Sequence, residues 1–419
     1  MASPPFAGHL HPILGLARAL AVHHEVRVLS TAAAMPIVQA AGLRGVTLLE
    51  GWDDRLRAVI DTPKAVGSNP RRLIRQLSQA LELQLKVHEE VTALYRTGAP
   101  ELLIADFALT SAGTAAELCG VSWWTSLPSP CVLEGGDGPP GYLGGLLPMD
   151  GLLGVLRNRA GWSAIRLFKR TTAAFFRRRL CALGITSLYR MDGSEAAYSH
   201  ERILAFGSRD LEFRSDWPPY VRFMPLPLYT PPNDAPPPPF ALGKRHVLVT
   251  LGTHLKFAKN EIAGLIRRVA AQLPDCEFHF SDGAGESAPV VTERNFTRLP
   301  FVDYQRFLGR YVLIVHHGGA GVMHHTLAAG LPAVVYPIDY DQFDHAARLH
   351  QAGLARWVRR PSDLAPAIIN SLNDAGLARR CAAYAKMKRE DFSAAVLKEI
   401  QRARYKERPG AAPLRREQP

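Results

Sequence analysis

The sequence predicts an α/β protein: two doubly wound domains on parallel sheets, facing each other across a cleft. Three observations carry this. The chain has 419 residues, 47% hydrophobic and 21% charged, which excludes a disordered chain and provides for two or three cores. A proline-rich run at 225–242, PLPLYTPPNDAPPPPFAL, divides it almost in half. Proline fixes φ and removes a backbone donor, so this run reads as a stiff extended linker. On either side, short apolar runs alternate with amphipathic segments, as when helices pack on a parallel sheet.

In the first half, 12–22 (PILGLARALAV) reads as a helix with its proline near the start. Residues 25–30 read as a strand, 101–105 (ELLIA) as a buried strand ending at Asp106, and 111–119 as the next helix. In the second half, 246–251 (HVLVTL) is a strand running into Gly252-Thr253. A helix over 261–272 and strands over 277–281 and 311–315 follow. Then come a glycine loop at 316–321, a helix to 329 and a strand over 333–336. No repeat of solenoid period is present. The expected division is a first domain over 1–224, a linker over 225–243 and a second domain over 244–380. Residues 381–419 form a C-terminal helix, packing back on the first domain, and a basic tail. Two such sheets oppose their carboxyl ends, where ligands bind in this architecture.

Fifty Lys and Arg against 38 Asp and Glu leave a net charge of +12. Six cations and no acid fall within 166–179, but no nucleic-acid motif accompanies them, so no nucleic-acid partner is expected. Five Cys with no CxxC pair argue against disulfides and structural zinc and for a reducing, cytoplasmic setting. The first residues lack a basic stretch before a long apolar run, and no window of about 18 uncharged apolar residues occurs.

His316-His317-Gly318-Gly319-Ala320-Gly321 lies between a strand and a helix. Glycines let backbone approach a ligand, and free N–H groups at a helix start favour negative charge. A His there can donate to a phosphate oxygen, so the loop points to a diphosphate. It is not GxGxxG, and no acidic residue follows at the dinucleotide offset, so no nicotinamide cofactor is expected. His316, His317, His324 and His325 lack an acidic or Cys partner at a metal-ligand spacing, so no metal is expected either; His324 and His325 read as surface or supporting residues.

Residues 301–353 resemble the donor-binding region of family-1-like GT-B glycosyltransferases, which include natural-product, sterol and glycopeptide enzymes. The resemblance rests on Phe301-Val302, then HHGGAG, Gly330-x-Pro332, Pro337 and Asp341-Gln342. Gly8-His9-Leu10-His11-Pro12 resembles the family's N-terminal GH loop. The resemblance implies two Rossmann-like domains and inverting transfer from a nucleotide sugar. By similarity, His317, Gly319, Ala320 and Gly321 hold the diphosphate. Phe301 stacks on the base, and the Val302 backbone meets its edge. Thr253, after Gly252, lies near the β-phosphate, and Asp341 and Gln342 bind sugar hydroxyls. Val322 stands where a phosphate-binding Ser or Thr is common, His345 where Asn is frequent, and Asp303-Tyr304 where Pro-Gln is common. His325 replaces a ribose-binding Glu, so UDP and dTDP donors both stay open.

Transfer to a hydroxyl requires removal of its proton, and a His titrating near neutrality suits the task. His9, in a Gly-flanked loop before the first helix, and Asp106, at the end of a buried strand, should face one cleft. The family's His–Asp dyad maps onto them. His11 reads as packing near the helix start. Only Met1-Ala2-Ser3 precede Pro4-Pro5-Phe6, where relatives open with a longer strand. A very short inner strand is expected, from a start placed downstream or a shortened chain, with a less stable first domain.

Phe107, Trp123-Trp124 and 142–156 (YLGGLLPMDGLLGVL) are candidates to line an acceptor pocket or lid. The favoured acceptor is a lipophilic small molecule such as a polyketide or terpenoid. Residues 165–180 mix Phe168, Phe175 and Phe176 with six cations. That pattern suits either a surface helix or one lying on an anionic membrane, the inner face by expectation, with a lipid or sterol acceptor. GT-B folds also serve sugar epimerases and inactive auxiliary proteins, but the GH loop, HHGGAG and Asp341-Gln342 together favour transfer. Oligomeric state is not legible.

Overall fold

The computed structural model describes residues 1–60, 62–67, 69–233, 235–283, 289–387 and 391–406. In the first domain, β1 (Arg27–Thr31) pairs with β2 (Arg44–Leu48). A second ladder runs β3-β4-β5-β6, from β3 (Leu102–Asp106), β4 (Ser122–Leu127), β5 (Ile203–Phe206) and β6 (Val221–Met224). All these pairings are parallel.

Ala2 joins the two ladders, bridging in parallel to Leu29 and Ala105. The Ala2 and Ser3 N–H groups donate to Ile104 and Leu29 carbonyls at 2.9 and 3.1 Å. Leu29 and Asp106 N–H groups donate back to Met1 and Ala2 at 2.7 and 2.8 Å. The inner strand is thus a single stitch, and it also fixes the backbone of Asp106.

The second domain holds β7 (Arg245–Thr250), β8 (Cys276–Ser281), β9 (Val291–Glu293), β10 (Phe296–Leu299), β11 (Leu313–His316), β12 (Ala333–Val335) and β13 (Ala355–Trp357). Their order is β13-β12-β11-β7-β8-β10-β9, parallel except for antiparallel β9. Apolar residues fill both faces, as a sheet covered by helices on both sides requires. Val247, Phe278, Phe280 and Ile266 pack on one face, and Leu248, Ile314, Met323 and Ala346 on the other.

Residues 225–233 and 235–244 form no helix or strand. They are held rather than free: Gln305 donates to the Leu228 carbonyl at 2.8 Å and accepts the Thr230 N–H at 3.1 Å. The helix Phe392–Lys406 returns to the first domain, where Val396 and Ile400 pack with Leu16, Leu20 and Phe206. Buried Glu399 pairs there with Arg202 and Arg222. The basic tail beyond 406 lies outside the described residues.

Three sequence readings need correction. The first helix spans Ala7–Ala21, so the GH segment forms its first turns rather than a loop. Pro12 sits inside it; Leu10, Ile13, Leu14 and Ala17 are buried together and extend the apolar face upstream. The boundary at 380 falls within the helix Ala375–Met387, whose Leu377 and Cys381 complete the second core. Residues 165–180 belong to two helices, Gly151–Phe175 and Arg177–Ala182, broken at buried Phe176.

Candidate active site

The carboxyl ends of β3, β7 and β11 deliver Asp106, Gly252 and His316-His317 to one crevice. From the first domain, His9 Nδ1 lies 2.9 Å from Asp106 Oδ1. A carboxylate only accepts, so Nδ1 carries the proton and Nε2 presents a lone pair. Asp106 is 1% exposed, its Oδ1 also accepts the Ala108 N–H at 2.9 Å, and its Oδ2 has no partner among the described residues. Phe107 stacks on the His9 ring at 5.3 Å and 23°. Phe6 meets His9 edge-on at 6.1 Å and His254 of the second domain at 5.3 Å. Burial pulls the His9 pKa down. The Asp106 charge and hydrogen bond, with the Asp341 charge across the crevice, outweigh it and leave the pKa above its ordinary value.

On the opposite wall, Gly319 caps the helix Ala320–Ala329. Its first intrahelical bond runs from the Met323 N–H to the Gly319 carbonyl, so the amides of Ala320, Gly321 and Val322 have no intrahelical acceptor. The His317 ring lies against the loop's glycines. A Cβ on Gly252 (φ +68°) would stand 2.9 Å from its Cε1, and a Cβ on Gly319 would meet its Nε2. His317 Nδ1 is buried without a partner among the described residues. His345 braces the loop from behind, donating from Nδ1 to the Gly318 carbonyl at 2.7 Å. Gly318 N–H donates to His316 Nδ1 at 3.0 Å.

Five imidazoles around this wall, those of His11, His316, His317, His324 and His325, are neutral at pH 7. Burial, with the His254 charge, lowers the His317 pKa to about 4 despite a hydrogen bond to the Thr250 backbone. Burial likewise lowers His316 and His324 to about 3, and His11 and His325 to about 4. An anion on this wall would therefore meet amide dipoles and neutral rings rather than a cluster of imidazolium charges.

Sequence reasoning missed Lys259, whose charge acts on His317. It is buried on the helix Lys256–Ala270 and donates from Nζ to the Asp282 carbonyl. Its signal was a cation in step with apolar Ile262, Ala263 and Ile266. Asp339 was also missed. It is 3% exposed and accepts N–H groups of Val66 at 2.6 Å and Gly67 at 2.8 Å, tying the second domain to the first.

Asp341 caps the helix Gln342–Gln351, and its charge reaches both His9 and His317. Gln342 is buried, and its Oε1 accepts the Ile338 and Asp339 N–H groups at 2.9 and 3.0 Å. That oxygen is committed to the loop, so only the NH₂ remains to meet a ligand. Two residues on, Asp344 Oδ2 accepts the Tyr142 N–H at 2.7 Å, and Arg348 pairs with Glu212 at 2.9 Å, both across the domains. Burial raises the Asp344 carboxyl to about 6, against the pull of the Tyr142 N–H and the Arg348 charge.

Phe301 and Thr253 are half-buried, while the Val302 and Val322 side chains lie in the second core, leaving only their backbones for a ligand. His324 is buried against the Pro128 carbonyl of the first domain, which removes the surface alternative and leaves the supporting one. Trp123 and Trp124 are core residues on opposite faces of β4. Among the described residues, no group of three or more His, Cys, Asp or Glu is disposed to hold a metal ion. None of the described helices is long and apolar enough to cross a membrane.

Residues 246–401 match the family described as the glycosyltransferase family 28 C-terminal domain. O-mycaminosyltylonolide 6-deoxyallosyltransferase of Streptomyces fradiae is 26% identical over 385 residues, covering 85% of this chain and 84% of its own. Zeaxanthin glucosyltransferase of Pseudescherichia vulneris is 38% identical over 85 residues, 20% of this chain and 21% of its own. The kitacinnamycin glycotransferase structure superposes with a TM-score of 0.72 at 21% identity, covering 96% of this chain and 97% of its own. The SsfS6 glycosyltransferase of Streptomyces sp. SF2575, complexed with thymidine diphosphate, gives 0.66 at 19% identity, covering 96% and 98%. These structures establish the fold.

Proposed function

From the premise that the chain is a glycosyltransferase of GT-B fold with a family 28 C-terminal domain, we propose that it transfers a sugar, with inversion, from a UDP- or dTDP-sugar to a hydroxyl of a lipophilic small molecule. The observation that carries this reading is the His9–Asp106 pair facing the His317 loop. The diphosphate rests on the amides of Gly319, Ala320, Gly321 and Val322 beside His317, with Lys259, whose charge acts on His317, nearby. Phe301 and the Val302 backbone flank the base. Thr253 adjoins the β-phosphate, and Asp341 and the Gln342 NH₂ engage sugar hydroxyls.

The acceptor hydroxyl lies against His9 Nε2. As its oxygen bonds to the anomeric carbon, the bond to the diphosphate oxygen breaks, and Nε2 takes the proton. Asp106 stabilises the resulting imidazolium and holds the ring in the productive tautomer. The leaving diphosphate gathers charge where the helix amides point. The chemistry calls for neither metal nor cofactor beyond the nucleotide sugar. A polyketide or terpenoid acceptor fits the apolar ring of Phe107 beside His9, and the S. fradiae and P. vulneris relatives are named for O-mycaminosyltylonolide and zeaxanthin.

His9→Ala tests this. Turnover should vanish while TDP or UDP still raises the melting temperature as in the wild type. Loss of nucleotide binding together with turnover would make His9 structural and remove the base assignment.

A further inference from the structure

The Gly151–Phe175 helix is half-embedded. Gly154 and Trp162 are buried, Trp162 Nε1 donates to the Gly138 carbonyl at 3.2 Å, and Lys169 pairs with Glu134 and Glu195. At 3.6 residues per turn, Leu152, Leu153, Leu156, Leu167 and Phe175 fall within an outward arc of about 140°, interleaved with Ala160, Ser163, Ala164 and Ala174. Leu152, Leu156, Leu167 and Phe175 are 51–75% exposed. Nothing among the described residues covers this arc. Leu143 and Met149, in the segment before the helix, are exposed as well.

Charge says what does cover it. No Asp or Glu occurs from 151 to 191, while Arg159, Arg166 and Arg170 run along one border of the arc. Arg166 reaches back to Glu134; Arg159 and Arg170 are exposed, as are Arg177 and Arg178 beyond the helix. A hydrophilic protein partner would leave the leucines unsatisfied, and an apolar one would leave the guanidinium groups so. An apolar stripe with a cationic edge matches acyl chains beneath anionic headgroups, with arginine stems lying along the boundary.

We propose that this face docks the protein peripherally on an anionic lipid bilayer. The surface adjoins the site. The Tyr142 N–H bonds to Asp344, and Gly145 lies so close to the Phe343 carbonyl that a Cβ would collide with it. Both contacts fall within two residues of Gln342. A bilayer-dissolved acceptor thus enters beside the donor loop. This delivery role rests on the proposed transferase reading; the docking does not.

Co-sedimentation of the full chain with vesicles separates the outcomes. Pelleting with phosphatidylcholine–phosphatidylglycerol vesicles at low salt is expected, with about tenfold weaker partitioning onto phosphatidylcholine alone or at high salt. A Leu152→Ser/Leu156→Ser/Leu167→Ser variant and an Arg159→Gln/Arg170→Gln/Arg177→Gln variant should each lose about tenfold in partitioning. A Lys244→Gln/Arg268→Gln/Arg360→Gln control should lose little. Four results overturn the proposal: no pelleting with the anionic vesicles, equal pelleting of both helix variants and wild type, an equal loss in the control, or a dimer that dissociates only in the leucine variant without any vesicle binding. Nucleotide-induced thermal shifts, measured alongside, report separately on the transferase reading.

Discussion

Replacing Asp106 by Asn removes a charge while keeping the side chain's size. His9 Nδ1–H then donates to a neutral amide instead of a carboxylate 2.9 Å away. A hydrogen bond to a charged group is worth about 1.5–3 kcal/mol, and each 1.4 kcal/mol is tenfold in rate, so kcat should fall roughly 10- to 150-fold. The pH profile should move as well. The base must be unprotonated, so wild-type kcat/KM rises with pH through an apparent pKa above the ordinary imidazole value, because Asp106 and Asp341 raise it. Without the Asp106 charge, burial dominates, and the acid limb should shift to lower pH on a lower plateau. Initial rates from pH 5.5 to 9, with whichever UDP- or dTDP-sugar turns over, measure both. Asp106 also holds the Ala108 N–H, so melting temperature and nucleotide affinity serve as folding controls. A plateau within twofold of wild type, or an unmoved acid limb, would refute the dyad.

Two further perturbations test the frame around the site. Asp339→Ala strips the acceptor from two interdomain N–H groups at about 1–3 kcal/mol each; steady-state kinetics should show acceptor kcat/KM down at least about tenfold, while nucleotide affinity, read by calorimetry, holds. Asp344→Asn tests the burial of a carboxyl that titrates at about 6 when folded, against an ordinary 3.8. Its folded pKa lies above its unfolded one, so the folded state binds the extra proton, and stability drains as pH rises from 3.8 to 6. The Asn variant should melt higher than wild type above pH 6, by an amount on the order of 3 kcal/mol, and lose that advantage below pH 4. Melting curves at pH 4 and 8 decide it.

Much of the donor wall was legible because its chemistry is local. The HHGGAG loop, its flanking strand and its helix sit within one stretch, and glycine there is forced by the approach of His317. The first domain was legible mainly where it resembled known enzymes. The helix start was misplaced because Pro12 reads as a first-turn residue, whereas buried Leu10 carries the apolar face a turn earlier. Trp123 and Trp124 were read as pocket candidates, yet successive strand residues face opposite sides of a sheet, and both sides are covered. Asp339 could not have been found. Its partners lie 272 and 273 residues away, and no local pattern marks a carboxylate destined for another domain's backbone.

The central claim is tested most directly by a crystal structure of the protein with thymidine or uridine diphosphate bound. The diphosphate should lie on the amides of residues 319–322 beside His317, with His9 Nε2 open toward the crevice and Nδ1 still on Asp106. A nucleotide seated elsewhere, or a His9 ring turned away from that crevice, would contradict it.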